Sequence, residues 1–245
     1  MQILLTISYD GTNYAGWQRQ DNAVAVQEKV EDAIGSIIGR AVSLRAASRT
    51  DAGVHALGQR ASFFAHDLCV PLNKLPQVLN GRLPGDISVV AAVEVPENFN
   101  PQFDAKQKTY IYKIQNSPHP NPLLSRYAAH IPQTLNLSRM QEAAKHFIGV
   151  HDFAAFCATG SSAKTTVREI FAIEVKTQEE YGAEIRVSGS GFLYNMVRII
   201  AGTLVYVGLG KISPDDTAQI IASKNRTKAG KTMPPQGLVL VEVMY

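Results

Sequence analysis

One order of elements, strand, helix, strand, strand, helix, strand, can be read twice along this chain, and that repetition leaves few folds open to it. Ile3 to Tyr9 alternates with the period of a strand, and Asp10-Gly11 ends it with a turn signal. Val26, Val30, Ile34 and Ile37/Ile38 recur at helical spacing and predict a helix from about Val24 to Ile38. Val42 to Ala47 and Arg60 to Ala65 read as strands on either side of a polar, glycine-containing loop, Ser48 to Gly58. Pro71 to Leu79 suits a helix with proline in its first turn, and the valine-rich run Ile87 to Val95 suits a strand. The second half repeats the order. Thr109 to Gln115 is a strand with alternating aromatics, and Ser138 to Ile148 a helix starting at Ser138. Ile170 to Val175 and Ala183 to Val187 are paired strands, Phe192 to Val207 a helix and Leu238 to Val243 a last strand. Pro214 to Ala222 is an extra helix with Ser213 as N-cap, and the proline-rich stretch Asn116 to Leu137 reads as loop.

Two split βαβ halves imply an α+β fold of two ferredoxin-like units with antiparallel sheets. The segment Pro96 to Pro101 is the predicted boundary. It gives an N-terminal half of residues 1–98 and a C-terminal half of residues 99–245, with the active-site cleft expected between them. The similarity of the halves is one of pattern, with no repeat at the level of residues.

Composition narrows the function classes. Apolar residues make up 45% of the 245 and charged residues 18%, so the chain is globular. The formal charge of +3 does not by itself demand a nucleic-acid partner. If RNA is bound, the positive charge must be gathered on one face. Cys69 and Cys157 are far apart and form no Cys-x-x-Cys pair, which predicts two buried, reduced thiols and no zinc site. No apolar run is long enough to span a bilayer, and the first residues lack the pattern of a signal peptide. A soluble, cytoplasmic protein is expected.

Three segments stand out. The first is Tyr9-Asp10-Gly11-Thr12-Asn13-Tyr14-Ala15-Gly16-Trp17-Gln18-Arg19-Gln20. Trp17, Gln18 and Arg19 could form a surface for bases and phosphates, or the segment could be a turn with Trp17 packed as a core plug. The second is Ser48-Arg49-Thr50-Asp51-Ala52-Gly53-Val54-His55-Ala56. Small residues after an acid and a base allow a substrate close to the backbone, while an Asx-turn at Asp51 explains the same composition. His55 reads as a packed or turn-capping histidine, because no second ligand stands at metal spacing. The third is Phe192 to Ile200, where Phe192, Leu193, Met196, Val197, Ile200 and Leu204 share one helical face and Arg198 falls nearly opposite.

These segments together resemble the tRNA pseudouridine synthase A family. Tyr9-Asp10-Gly11-Thr12-x-Tyr14-x-Gly16-Trp17-Gln18-x-Gln20 is similar to its opening signature, and Arg49-Thr50-Asp51-Ala52-Gly53-Val54-His55-Ala56 to its catalytic motif. Phe103-x-Ala105-x-x-Lys108-x-Tyr110-x-Tyr112 is close to the pattern around its active-site tyrosine. Gly191-Phe192-Leu193 through Met196-Val197-Arg198 and Gly202 resembles its arginine helix, and Pro234-Pro235-x-Gly237-Leu238 to Tyr245 its ending. The resemblance covers essentially the whole chain in order. It implies Asp51 as the catalytic aspartate, Tyr110 as the active-site tyrosine, with Tyr112 the second aromatic of that strand, and Arg198 as the arginine that pairs with Asp51. Arg49 is implied to fill the space of a flipped nucleotide. It further implies a cofactor-free isomerase, a homodimer, that converts uridine to pseudouridine in the anticodon stem-loop of tRNA, at tRNA positions 38, 39 and 40. Two positions depart from the family pattern. Ser48 stands where glycine is usual, which questions the loop's backbone geometry, and Gln102 where an arginine is common, which removes a phosphate or acid contact.

The chemistry suits those residues. The bond from uracil N1 to ribose C1′ breaks and the base rejoins through C5, so no atom is gained or lost and no cofactor is required. The base must leave its stack, at a cost of about a few kcal/mol, and an inserted arginine offsets part of this. A carboxylate must be ionised to act as nucleophile or base, and a nearby guanidinium favours the charged form. Two other readings use the same residues. A non-catalytic RNA-binding module would stack bases on Tyr110 and Tyr112. A metal-dependent phosphotransferase would use Asp51 and Asp10.

Overall fold

The computed structural model describes residues 1–65 and 68–245. The chain separates into two compact units, Met1–Lys106 with Leu240–Tyr245, and Gln107–Val239. Both contain helices and mostly antiparallel strands, as the α+β reading expects. No helix among the described residues is long and apolar enough to cross a membrane.

In the first unit β1 (Gln2–Tyr9) is buried along almost its whole length, as a strand covered on both faces must be. It is followed by α1 (Val26–Ile38), β2 (Arg45–Ala46), β3 (His55–Phe64), α2 (Leu75–Asn80) and β4 (Ile87–Val95). The strand order is β4-β1-β3 with β2 along β3, all antiparallel. This is the split βαβ arrangement the sequence predicts. α1 buries Val26, Val30, Ala33 and Ile34 and stops at Gly39, whose φ of 73° an L side chain rarely adopts. β2 is shorter than expected, and β3 starts well before Arg60. His55 to Gly58 is strand rather than loop, because Ala56 pairs with Tyr9 and Gly58 lies against Val241 too closely for a Cβ.

The second unit contains β5 (Gln107–Asn116), β6 (Ala129–Ile131), α3 (Leu137–Ala144), β7 (Gly149–Asp152), β8 (Val167–Gln178), β9 (Gly182–Gly189), α4 (Met196–Gly208) and α5 (Asp216–Ser223). The last strand, β10 (Leu238–Met244), closes the chain. The order is β5-β9-β8-β7, with β6 parallel to the end of β5. α3 is capped by Asn136, whose side chain accepts from the Arg139 N–H, rather than by Ser138. α5 starts at Asp216, with Asp215 and not Ser213 in the N-cap position. α4 begins at Met196 rather than Phe192, because Asn195 takes a left-handed φ of 60° and ends helical geometry before it. α4 is also buried almost all round, so the single apolar face drawn from the sequence does not describe it.

Neither cysteine lies in the core. Cys69 is exposed and Cys157 half-buried, which corrects the expectation of two buried thiols.

Candidate active site

In the first unit, the loop carrying Asp51 is held between two elements. Tyr9 and Thr50 share a buried hydrogen bond of 2.7 Å between their hydroxyls. The Trp17 N–H donates to the Thr50 carbonyl at 3.0 Å, and the Gly53 N–H to the Tyr14 carbonyl at 3.3 Å. The Val54 N–H closes a turn onto the Asp51 carbonyl at 3.1 Å. On the other side, the Gln59 side chain donates to the Ser48 carbonyl at 2.7 Å. Glycines make the fit possible. A Cβ on Gly11 would lie 2.0 Å from the Val54 carbonyl oxygen, and one on Gly16 would lie 2.5 Å from that of Thr50. Thr50, Val54 and His55 are buried, whereas Asp51 is half-buried and Arg49 and Ala52 are exposed. The scaffold therefore turns a short segment outward around one carboxylate.

The opening signature is thus a buttress for this loop. Trp17 is 1% exposed, with its ring 5.9 Å from that of Tyr9, so its faces are spent in the core. This matches the core-plug reading and removes Trp17 from the surface offered to bases. Gln18 is exposed. Arg19 is exposed as well, but its guanidinium lies 3.0 Å from Glu31 and 3.6 Å from Asp32 on α1. Tyr14 donates to Asp86, and burial together with that carboxylate pushes its phenol well above the usual range. His55 is packed as expected. Its Nδ1 lies 3.0 Å from the Gly11 amide nitrogen and 3.1 Å from Asp10. Arg49 has no side-chain partner among the described residues.

In the second unit, Tyr110 on β5 is 7% exposed and meets Phe192 edge to face at 5.2 Å. Tyr112, two residues on, is fully buried, and its hydroxyl donates to the Pro234 carbonyl at 2.7 Å. Burial pushes its phenol above the usual range, although Arg198 opposes the shift. Tyr112 is therefore a packing residue rather than an open platform. Arg198, on the first turn of α4, is half-buried. Its Nε donates to the Met233 carbonyl at 2.7 Å and its Nη1 to the Asn195 side chain at 2.6 Å. The irregular segment that leads to Met233 crosses α4 where Gly202 and Gly230 meet, a contact without room for a Cβ on either. Asn195 and the Met233 carbonyl thus aim the guanidinium. Sequence reasoning missed both, because the left-handed φ of Asn195 and the path of the segment through Met233 are set by the fold.

Comparison with known proteins identifies the family. The profile of a family described as tRNA pseudouridine synthase matches residues 5–104 and 143–245. A protein of Ruminiclostridium cellulolyticum named tRNA pseudouridine synthase A is 50% identical over 244 residues, covering 100% of this chain and 99% of its own. Proteins of the same name from Thermoanaerobacter sp. and Bacillus pumilus are 48% and 44% identical, over 99% and 100% of this chain and 99% of each of theirs. With a family profile over most of its length and relatives matched end to end, the chain belongs to the tRNA pseudouridine synthase family.

Proposed function

We propose that this chain isomerises uridine to pseudouridine in tRNA with the carboxylate of Asp51 as the catalytic group. The observation that carries the assignment is the locked loop. Thr50, Val54 and His55 are fixed by core contacts, while Asp51 between them is left half-buried. Pre-organisation of that kind serves a group that must meet a reacting atom in a set geometry.

Arg49, exposed beside it, enters the gap left by the extruded nucleotide. Tyr110, braced by Phe192, bounds the pocket for the base. Arg198, aimed by Asn195 and the Met233 carbonyl, supports the ionised carboxylate. Trp17 and Tyr112 act as scaffold, and Gln18 and Arg19 lie outside the reacting group. Because the base is detached and rejoined, the pocket must retain uracil and exclude water during turnover. The targets are uridines of the anticodon stem-loop, at tRNA positions 38, 39 and 40, and the enzyme works as a homodimer in the cytoplasm.

The rival reading of a non-catalytic module stacking RNA on strand aromatics needs open ring faces. It needs two of them side by side, and Tyr112, at 0% exposure, does not offer one.

The test is the Asp51→Asn variant. It should fold, bind tRNA and form no pseudouridine, read by mapping pseudouridine in tRNA incubated with purified protein. Turnover above a trace by that variant rejects Asp51 as the catalytic group.

A further inference from the structure

Lys108 is a motif residue to which the reaction above gives no task. It is 8% exposed, on a strand that also carries Tyr110. Residues two apart on a strand share a face, about 7 Å from each other. In the sheet register Lys108 pairs with Gly189 of β9, and Gly189 with Ile170 of β8. Residues directly opposite share a face too, so Lys108, Gly189 and Ile170 lie in one row. Arg168, two residues before Ile170, continues that face, while Glu169 points to the other side. The register therefore brings a lysine and an arginine to the same side of the sheet beside Tyr110.

Their surroundings favour an anion. Arg168 is half-buried, and its Nη1 donates to the carbonyls of Thr165 and Val167 at 2.9 and 2.6 Å. It has no carboxylate partner among the described residues, and its Nε would lie 3.9 Å from a Cβ on Gly191. The backbone N–H groups of Gly191 and Phe192 make no hydrogen bond among the described residues. Burial, and secondarily the charge of Arg168, hold the Lys108 ammonium down at about 8, so the two cations are placed together at a cost.

We propose that Lys108, Arg168 and the N–H groups of Gly191 and Phe192 form a binding site for one RNA backbone phosphodiester, next to the nucleotide that reacts at Tyr110. The proposal rests on the synthase reading for the identity of the polyanion. Two cations on one side of the sheet, with Gly191 beside Arg168 and two unused amide donors there, match a phosphate's charge and its several acceptor oxygens. An anion there relieves the repulsion between the cations. Phe192 links the site to the base pocket, because its ring braces Tyr110. The site holds the flanking phosphate so that an extruded base meets Tyr110, which makes Lys108 and Arg168 positioning residues for the reaction.

The experiment uses an anticodon stem-loop RNA in which each phosphate around the target uridine is replaced singly by an uncharged methylphosphonate. Binding to the wild-type chain should weaken about tenfold or more at one flanking phosphate. Lys108→Met and Arg168→Met should weaken binding of unmodified RNA and reduce the slope of affinity against salt by about one each. Neither should lose further affinity when that same phosphate is neutralised, whereas losses at other phosphates should multiply as usual. Lys108→Arg should recover most of the affinity. Loss confined to phosphates remote from the target uridine, or losses that multiply at every flanking position, would overturn the proposal. Should Lys108→Met fail to fold, the wild-type series decides alone, since an RNA indifferent to every flanking substitution also overturns it. A wild-type chain that binds the RNA with this pattern but isomerises no uridine would refute the synthase reading and leave the phosphate site standing.

Discussion

Gly16 should be worth more to catalysis than to folding. It has φ of 93°, and a Cβ there would lie 2.5 Å from the Thr50 carbonyl oxygen, 3.0 Å from the Asp51 carbonyl carbon and 3.1 Å from the Ala52 nitrogen. The first of these falls about 0.9 Å short of ordinary van der Waals contact, and the atoms it meets are backbone of the Asp51 loop. In Gly16→Ala the loop must retreat by most of that distance. A displacement near 1 Å at a reacting group costs about 10²-fold in rate, and the left-handed backbone adds about 1–2 kcal/mol of instability. Gly39→Ala separates the two effects. Gly39 has φ of 73° with nothing within 4 Å of an added Cβ, so it carries the backbone cost without the collision. The assay is single-turnover pseudouridine formation at saturating RNA, with urea unfolding alongside. Both variants should lose stability, and only Gly16→Ala should lose the rate. A wild-type rate for Gly16→Ala, or an equal rate loss for Gly39→Ala, would refute the buttress account.

Three further outcomes are expected. Asn195→Gly keeps the left-handed backbone but removes the acceptor for Arg198 Nη1, so single-turnover rate should fall about tenfold with stability reduced by no more than about 1 kcal/mol; an unchanged rate returns Asn195 to a purely structural role. Activity should persist in EDTA with no nucleotide added, since the isomerisation exchanges nothing with a cofactor; loss restored specifically by zinc or magnesium, with the RNA fold controlled, sinks that expectation. Asp152 is held below the usual carboxylate range, chiefly by its hydrogen bond to Lys224 and then by Thr166. A depressed folded value contributes stability above the unfolded pKa and loses it as pH falls, so Lys224→Met should be less stable than wild type by under about 1 kcal/mol at pH 7, the gap closing below about pH 4 in denaturant titrations.

The arrangement of elements was legible in the sequence wherever a period ran long enough to be read. α1 and β1 show this, since each repeats its apolar spacing across its whole length. β6 and β7 were not legible. They span 129–131 and 149–152, too short to display alternation, and pairing with distant residues makes them strands. His55-Ala56-Leu57-Gly58 was hidden for another reason. Glycine and alanine carry little strand preference, and the contacts of Gly58 with Val241 and of Ala56 with Tyr9 decide its state.

At the site the same division holds. Asp51, Tyr110 and Arg198 stand out in the sequence because their motifs are local. The opening signature was harder, because exposed aromatics and buried ones have identical composition. What distinguished them was the glycine spacing, since Gly11 and Gly16 each leave room for the backbone of the Asp51 loop. A run of aromatics between glycines that cannot bear a Cβ is more readily a mould for a neighbouring loop than a surface for a ligand. Lys108 and Arg168 offered no such local signal. They lie far apart in sequence and are brought to one face by a register running through Gly189, a residue that contributes no side chain of its own. A Cβ on Gly189 would lie 2.5 Å from the Glu169 carbonyl oxygen and 3.4 Å from the Phe192 ring, so only glycine lets the ring that braces Tyr110 pack over the row that joins the two cations.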